Sequence, residues 1–290
     1  MRLVATLLLW LFTTLALAVA IPTAWAQINI VDDDGYAAMA QNAAAEPSLQ
    51  DAMASELATQ VVSLAAEGGY DVSRSLTSGV AQAYTAGPDF PAQFAAANRL
   101  AHGAMFTDAV RQSEGPSDSW EIDLAPMLAD TSFQQTLDET LQESLDNFNL
   151  TVPQTLTVPV TVDAPDGLRP GQLRPLATWG PWVSVGATVL AGMGALLTLL
   201  AARRRGKALA SLGVSALLVG ASGWAALEIG RRYIDDALNH TTGGMRQIAD
   251  AMVGQAEASL HQWLNLTLAA GGVLVVVGVI VAMLGGLRRS

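Results

Sequence analysis

The chain has 290 residues, 51% of them hydrophobic and only 14% charged, with a net charge of −11 and no cysteine. Soluble domains carry about 25% charged residues, so this much apolar side chain belongs to an unusually large core or to lipid. The missing cysteines exclude disulfide frameworks, thiolate metal sites and cysteine nucleophiles.

The apolar residues fall in runs, and the runs decide for lipid. Residues 3–26, 179–202, 208–227 and 266–287 contain no Asp, Glu, Lys or Arg. About 20 residues rising ~1.5 Å each cross ~30 Å of hydrocarbon, so four transmembrane helices are predicted. The first segment, 1–26, has two readings. Ala24-Trp25-Ala26 before Gln27 is a small-x-small cleavage signal, with Pro22 read as breaking the helix just ahead of it. Against cleavage, the run exceeds the about 7–15 apolar residues of a signal-peptide core. A retained anchor and a cleaved signal peptide both leave the following residues outside.

Residues 27–175 hold 21 Asp or Glu against 5 Arg, while the remainder holds 5 acids against 10 bases. A stretch this acidic repels phosphate backbones and excludes nucleic acid as a partner. It begins with Asp32-Asp33-Asp34-Gly35. An EF-hand needs alternating ligands and a Glu at its twelfth position, so the consecutive acids read as a solvated linker beside the membrane. Pro47-Ser48 opens a helix with Leu49, Met53, Leu57, Val61 and Leu64 on one stripe, and Gly68-Gly69 stops it. Val72, Leu76, Val80 and Tyr84 mark a second helix before Gly87-Pro88, and Phe94, Leu100 and Met105-Phe106 a third from about Phe90. Trp120 to Leu124 alternates at period two and reads as a strand. Leu128, Phe133, Leu137, Leu141, Leu145 and Phe148 follow on a helix whose other face is acidic. Leu156 to Val162 suits an edge strand pairing with 120–124, and 163–175 is a Pro- and Gly-containing linker.

The expected fold is therefore a mainly α membrane protein. Residues 1–26 are the first span, and 27–175 an acidic, extracytoplasmic, mostly helical α+β domain with one short β ribbon. Residues 176–290 form a three-helix membrane domain (179–202, 208–227, 266–287) with an amphipathic outer loop helix in 228–265. That helix, carrying Met245, Ile248, Met252, Val253 and Leu260, suits either the membrane surface or a dock on the outer domain. Orientation follows from Arg203, Arg204, Arg205 and Lys207, which fill the turn 203–207, together with Arg2, Arg288 and Arg289. Basic loops stay inside, so both termini and this turn are cytoplasmic if the first segment is retained. The membrane is then the plasma (inner) membrane.

No constellation reaches the level of an active site. Glu121 and Asp123 share one face of a strand, where paired carboxylates can do acid–base work, but they read as the wet side of an amphipathic strand. His102, His240 and His261 are scattered without ligand spacing, and surface or interfacial positions are expected for His102 and His261. No nucleophile elbow, phosphate loop, metalloprotease or dinucleotide motif is present. No catalytic, cofactor or metal residues are therefore assigned, and no enzyme activity is expected. The spans themselves carry no ionisable group, unlike those of carriers and pumps. They carry small residues instead: Gly213 and Gly220, then Gly271, Gly278 and Gly285, each seven from the next. Such faces let helix backbones approach closely, within the chain or against other subunits.

Trp25-Ala26, Val31-Asp32-Asp33-Asp34-Gly35-Tyr36 and Ala45-Glu46-Pro47-Ser48-Leu49-Gln50 resemble the entry to the outer domain in a group of actinobacterial, mycobacterial-type membrane proteins. Ile122-Asp123-Leu124-Ala125-Pro126 before an acidic helix is similar to a later landmark of that group. The resemblance implies a four-helix layout with a helical extracytoplasmic domain in the cell envelope. By layout alone it implies an accessory subunit of Mce-type lipid transport, since no binding residues match. The expected function is a non-catalytic accessory or scaffold subunit of an envelope complex, with the bilayer and other membrane subunits as partners. The alternative is an extracytoplasmic sensor of a small ligand or ion.

Overall fold

The computed structural model describes residues 2–106, 119–142, 157–161, 173–202, 205–239, 241 and 243–287. The chain is mainly helical and divides into two compact units. Unit 1 comprises Met1–Val31, Pro175–Tyr233 and Glu257–Ser290; unit 2 comprises Asp32–Arg174 and Ile234–Ala256. Residues 234–256, part of the outer loop whose helix suited either the membrane surface or the outer domain, belong to unit 2.

Unit 1 contains α1 (Arg2–Ala26), α8 (Arg174–Ala201), most of α9 (Arg205–Ala237) and the larger part of α10 (Gly243–Leu287). All four helices are long and apolar enough to cross a membrane. Two expectations change here. Pro22 does not break α1, which runs through it and continues as a π-helical turn over Gln27–Val31. A proline in a membrane helix is tolerated where local adjustments re-satisfy the backbone. Likewise 228–265 and 266–287 are not separate elements, because α10 runs unbroken for 45 residues. The charges near 246–257 mark where apolar sequence starts, and no proline lies between Gly244 and Leu287 to break the helix.

Within unit 1, α1 touches each of the others. Trp10 Nε1 donates to the Ser211 carbonyl at 2.9 Å, and the Thr14 and Ser215 hydroxyls are 2.8 Å apart. Trp25 Nε1 donates to Ser259 Oγ at 3.1 Å. A Cβ on Gly194 of α8 would lie 2.5 Å from Thr13 Oγ1 and 3.4 Å from the Phe12 ring, so α8 and α1 pack at glycine distance. Valines, leucines and Trp179 and Trp182 cover the outer faces and are exposed, as lipid-facing side chains are.

Unit 2 is built from α2 (Asp33–Ala43), α3 (Pro47–Glu67), α4 (Arg74–Thr85), α5 (Phe90–Phe106), α6 (Ala125–Leu128) and α7 (Thr131–Gln142). β1 (Ser119–Asp123) pairs antiparallel with β2 (Thr157–Thr161), in a register that sets Glu121 opposite Pro159 and Asp123 opposite Thr157. The end of α9 and the start of α10 complete the unit. Pro47 sits in the first turn of α3, where its missing N–H costs nothing. Gly68 caps the helix and Gly69, at φ 82°, turns the chain away in a conformation few side chains tolerate.

The core of unit 2 is the stripe Leu49, Met53, Leu57 and Val61 of α3, packed with Phe90, Phe94, Phe133 and Leu137. Met245 and Ile248 of α10 belong to the same cluster, with Met252 packed against it. Each fully buried side chain of this kind is worth about 1.5–3 kcal/mol. Two sequence assignments fail: Leu76 is 37% and Leu100 65% exposed. In α4 the buried face is Thr77, Val80, Ala81 and Tyr84, so the helix is rotated away from Leu76. The Asp32–Asp34 run is also not a linker. Asp32 N-caps α2 by accepting from Gly35 N at 2.9 Å, and α2 buries Tyr36, Ala37, Met39, Ala40 and Ala43. Leu141, Leu145 and Phe148 of the acidic helix lie outside the residues whose side chains are described.

Candidate functional site: a glycine seam between α9 and α10

Helices α9 and α10 approach each other at backbone distance. A Cβ added to Gly213 would sit 2.6 Å from the Gly271 carbonyl oxygen and 2.7 Å from Val275 N. One added to Gly271 would sit 2.9 Å from the Gly213 oxygen and 3.0 Å from Leu217 N. A Cβ on Gly278 would meet the backbone of Ala210 and, at 2.7 Å, the Gly206 oxygen; one on Gly220 would meet Leu268 Cγ at 2.6 Å. At Gly213 and Gly278 these distances are ones real Cβ atoms essentially never show and the obstacle is backbone, so a side chain there forces the helices apart. At Gly220 the obstacle is a leucine side chain.

The contacts share one register. Gly206 faces Ala282, Gly213 faces Val275, and Gly220 faces Leu268. Seven residues forward on α9 correspond to seven back on α10, as an antiparallel pair with a heptad seam requires. Lipid tails are as apolar as leucine, so such a pair is held by van der Waals packing at close range. Sequence reasoning assigned Gly213, Gly220, Gly271 and Gly278 to packing faces, and the structure brings these four together. It missed Gly206, taken as part of the basic turn, although Gly206 is seven residues before Gly213. It also missed Gly223, whose Cβ would lie 2.5 Å from Leu264 Cδ2. Gly285 is helical, but its surroundings lie outside the described residues.

The topology residues occupy the other feature of α9. Arg205 and Lys207 are exposed in its first turn, with Gly206 buried between them; Arg203 and Arg204 lie outside the described residues. The opposite end of unit 1 gathers polar and aromatic groups. Trp224 stacks on His261 with centroids 3.8 Å apart, and its Nε1 donates to Asn265 Oδ1 at 3.3 Å. Arg231 Nη1 donates to Glu257 Oε2 at 2.9 Å, while Glu257 Oε1 and Gln27 Oε1 are buried without hydrogen-bond partners. His261 is therefore half-buried, stacked on a tryptophan.

In unit 2 the histidine expectation is overturned. His102 is only 3% exposed. Its ring lies between Tyr36, at 4.8 Å, and Phe106, at 4.3 Å, with Nδ1 3.7 Å from Asp33 Oδ1. Arg99 bridges Asp33 at 3.1 Å and Asp34 at 2.7 Å. The acidic run and α5 thus form one cluster, which reads as the latch of α2 on α5. Burial pushes the Tyr36 phenol well above the ordinary tyrosine range. Glu121 and Asp123 share a face of β1, but their side chains lie outside the described residues, as does His240. Among the described residues, no three His, Asp or Glu side chains are arranged so that they could hold a metal ion.

No family model, curated protein or solved structure matches the chain. The site is thus read from its own geometry. That geometry is a packing site: it fixes two membrane-length helices against each other and presents no reacting group.

Proposed function

We propose that the chain is a non-catalytic accessory or scaffold subunit of a cell-envelope membrane complex, one serving lipid transport. In this reading the plasma membrane holds the four spans, and unit 2 stands outside the cytoplasm. The observation that carries it is the division of labour among the small residues of unit 1. Gly206, Gly213, Gly220, Gly271 and Gly278 are used up in joining α9 to α10, whereas Gly186 and Gly192 of α8 face nothing within 4 Å. Around them Val185, Val189, Met193 and Leu196 are exposed. This is a face on which a partner helix can pack closely. The uncharged spans support a packing role over a conducting one, because transport paths carry ionisable groups at membrane depth. The lipid-transport assignment rests on the resemblance in layout.

The test is purification of the full chain from its native membrane in mild detergent at native expression. Stoichiometric membrane partners are expected, lost on Gly192→Leu but retained with the exposed-face control Val276→Leu. A monodisperse chain without partners would overturn the proposal.

A further inference from the structure

One end of unit 1 gathers cations with nothing of opposite sign. Residues 1–31, 175–227 and 258–290 contain no Asp or Glu, and their basic residues are Arg2, the four of the 203–207 turn, and Arg288-Arg289. The helix contacts bring these segments to the same end. Trp10 and Thr14 of α1 meet Ser211 and Ser215 of α9 in parallel, so α1 starts at Arg2 close to the level at which α9 starts at Arg205. Ala282 of α10 lies against Gly206, so α10 ends at Leu287 beside the same turn.

Elsewhere Arg99 pairs with Asp33 and Asp34, Arg231 with Glu257 and Arg246 with Asp250. Arg205 and Lys207 are exposed and have no ion pair with any described residue. Their backbone is nevertheless fixed. Gly206 between them is buried, and a Cβ there would meet the Ala282 backbone and, at 2.6 Å, the Gly278 oxygen. Next to them is the rim of the lipid-facing surface: Leu200 of α8 is 69% exposed, and Met283 and Leu284 of α10 are exposed as well. Lys and Arg at the end of a membrane helix lay their stems on apolar surface and raise the charged head to the headgroup layer. There a guanidinium meets phosphate with two parallel hydrogen bonds and an ammonium meets it as a point charge. An anionic phospholipid matches both halves of this surface, whereas a free phosphate matches only the cations.

We propose that this end of unit 1 binds anionic phospholipid, holding the headgroup phosphate with Arg205 and Lys207 and seating the acyl chains against Leu200, Met283 and Leu284. The site rests on the four helices spanning a membrane and not on the accessory-subunit reading, so a purified chain without partner subunits would leave it standing. The full chain, delipidated in mild detergent, is titrated with phosphatidylglycerol and, separately, with phosphatidylcholine of the same acyl chains, and bound lipid is counted by native mass spectrometry. Each cation near the headgroups should contribute roughly fivefold. Phosphatidylglycerol should therefore bind at least tenfold more tightly than phosphatidylcholine. Arg205→Gln combined with Lys207→Gln should weaken phosphatidylglycerol about 25-fold and phosphatidylcholine far less, which separates loss of the site from loss of the fold. Arg205→Lys, which keeps the charge, should restore most of the affinity in the Lys207 background. Arg232→Gln, an exposed cation at the opposite end of α9, should change neither lipid. Equal binding of the two lipids, or phosphatidylglycerol affinity unchanged in the double variant, would overturn the proposal. So would displacement of phosphatidylglycerol by inorganic phosphate, which would make the cations a free-anion site.

Discussion

Gly271 and Gly272 are neighbours on α10, yet the structure treats a methyl group at the two positions oppositely. At Gly271 the new Cβ lies 2.9 Å from the Gly213 oxygen and 3.0 Å from Leu217 N. That is roughly 0.5 Å inside ordinary van der Waals contact, and the obstacle is backbone, which cannot swing aside. Overpacking of this kind costs about 1–3 kcal/mol. At Gly272 nothing lies within 4 Å, so Gly272→Ala keeps only the helix gain of alanine over glycine, about 0.5–1 kcal/mol. Both substitutions share that gain and the same membrane depth, so the difference between them isolates the seam. Equilibrium unfolding of the purified chain in mixed micelles, driven by SDS and followed by tryptophan fluorescence, should place Gly271→Ala about 1–3 kcal/mol below Gly272→Ala. Equal stabilities, or Gly271→Ala the more stable, would refute the seam.

Three further outcomes follow from the same geometry. Gly213→Ala should cost at least as much as Gly271→Ala, and the double variant less than their sum by about 0.5–1 kcal/mol, because helices already parted accept the second methyl. His102→Ala removes a buried ring stacked between Tyr36 and Phe106 and should lower stability by about 2–4 kcal/mol, read as the denaturant midpoint of the near-UV signal. The phenols of Tyr36 and Tyr84 are held above their unfolded value of about 10. Above that pH the unfolded chain releases protons that the folded chain retains, so stability is full below about pH 10 and falls as pH rises. The slope should approach about 1.4 kcal/mol per pH unit for each phenol, and Tyr84→Phe should remove one of the two contributions; a flat profile to high pH would contradict both.

The sequence made the membrane-length segments legible because lack of charge over about 20 residues has few other physical meanings. It did not reveal where helices end. Charge at Glu228 or Glu257 marks the edge of lipid-compatible sequence, while α9 continues to Ala237 and α10 begins at Gly243. The stripe of α3 was readable because large apolar residues recur at three and four. Helix α2 was not, since it buries mostly alanines and one tyrosine, and its capping aspartate reads equally as a solvated linker. Leu76 and Leu100 show the limit of periodicity: a short helix offers two phases, and tertiary contacts choose. The seam was half-legible. Glycines in heptads are visible in sequence, but which helix they face is not, and Gly206 was hidden by the basic residues on either side.

The account depends most on which side of the membrane each segment faces. Because the chain lacks cysteine, single cysteines can be placed at Ser73, Lys207 and Gly254 and probed with a membrane-impermeant thiol reagent on whole cells. Lys207 is the right probe for the basic turn, since Gly206 lies in the seam and any side chain there would disturb it. Ser73 and Gly254 are exposed, and no atom lies within 4 Å of a Cβ at Gly254. Labelling at 73 and 254 but not at 207, with all three reacting once the cells are permeabilised, is the predicted result. Labelling at 207 in intact cells, with 73 and 254 protected, would contradict it.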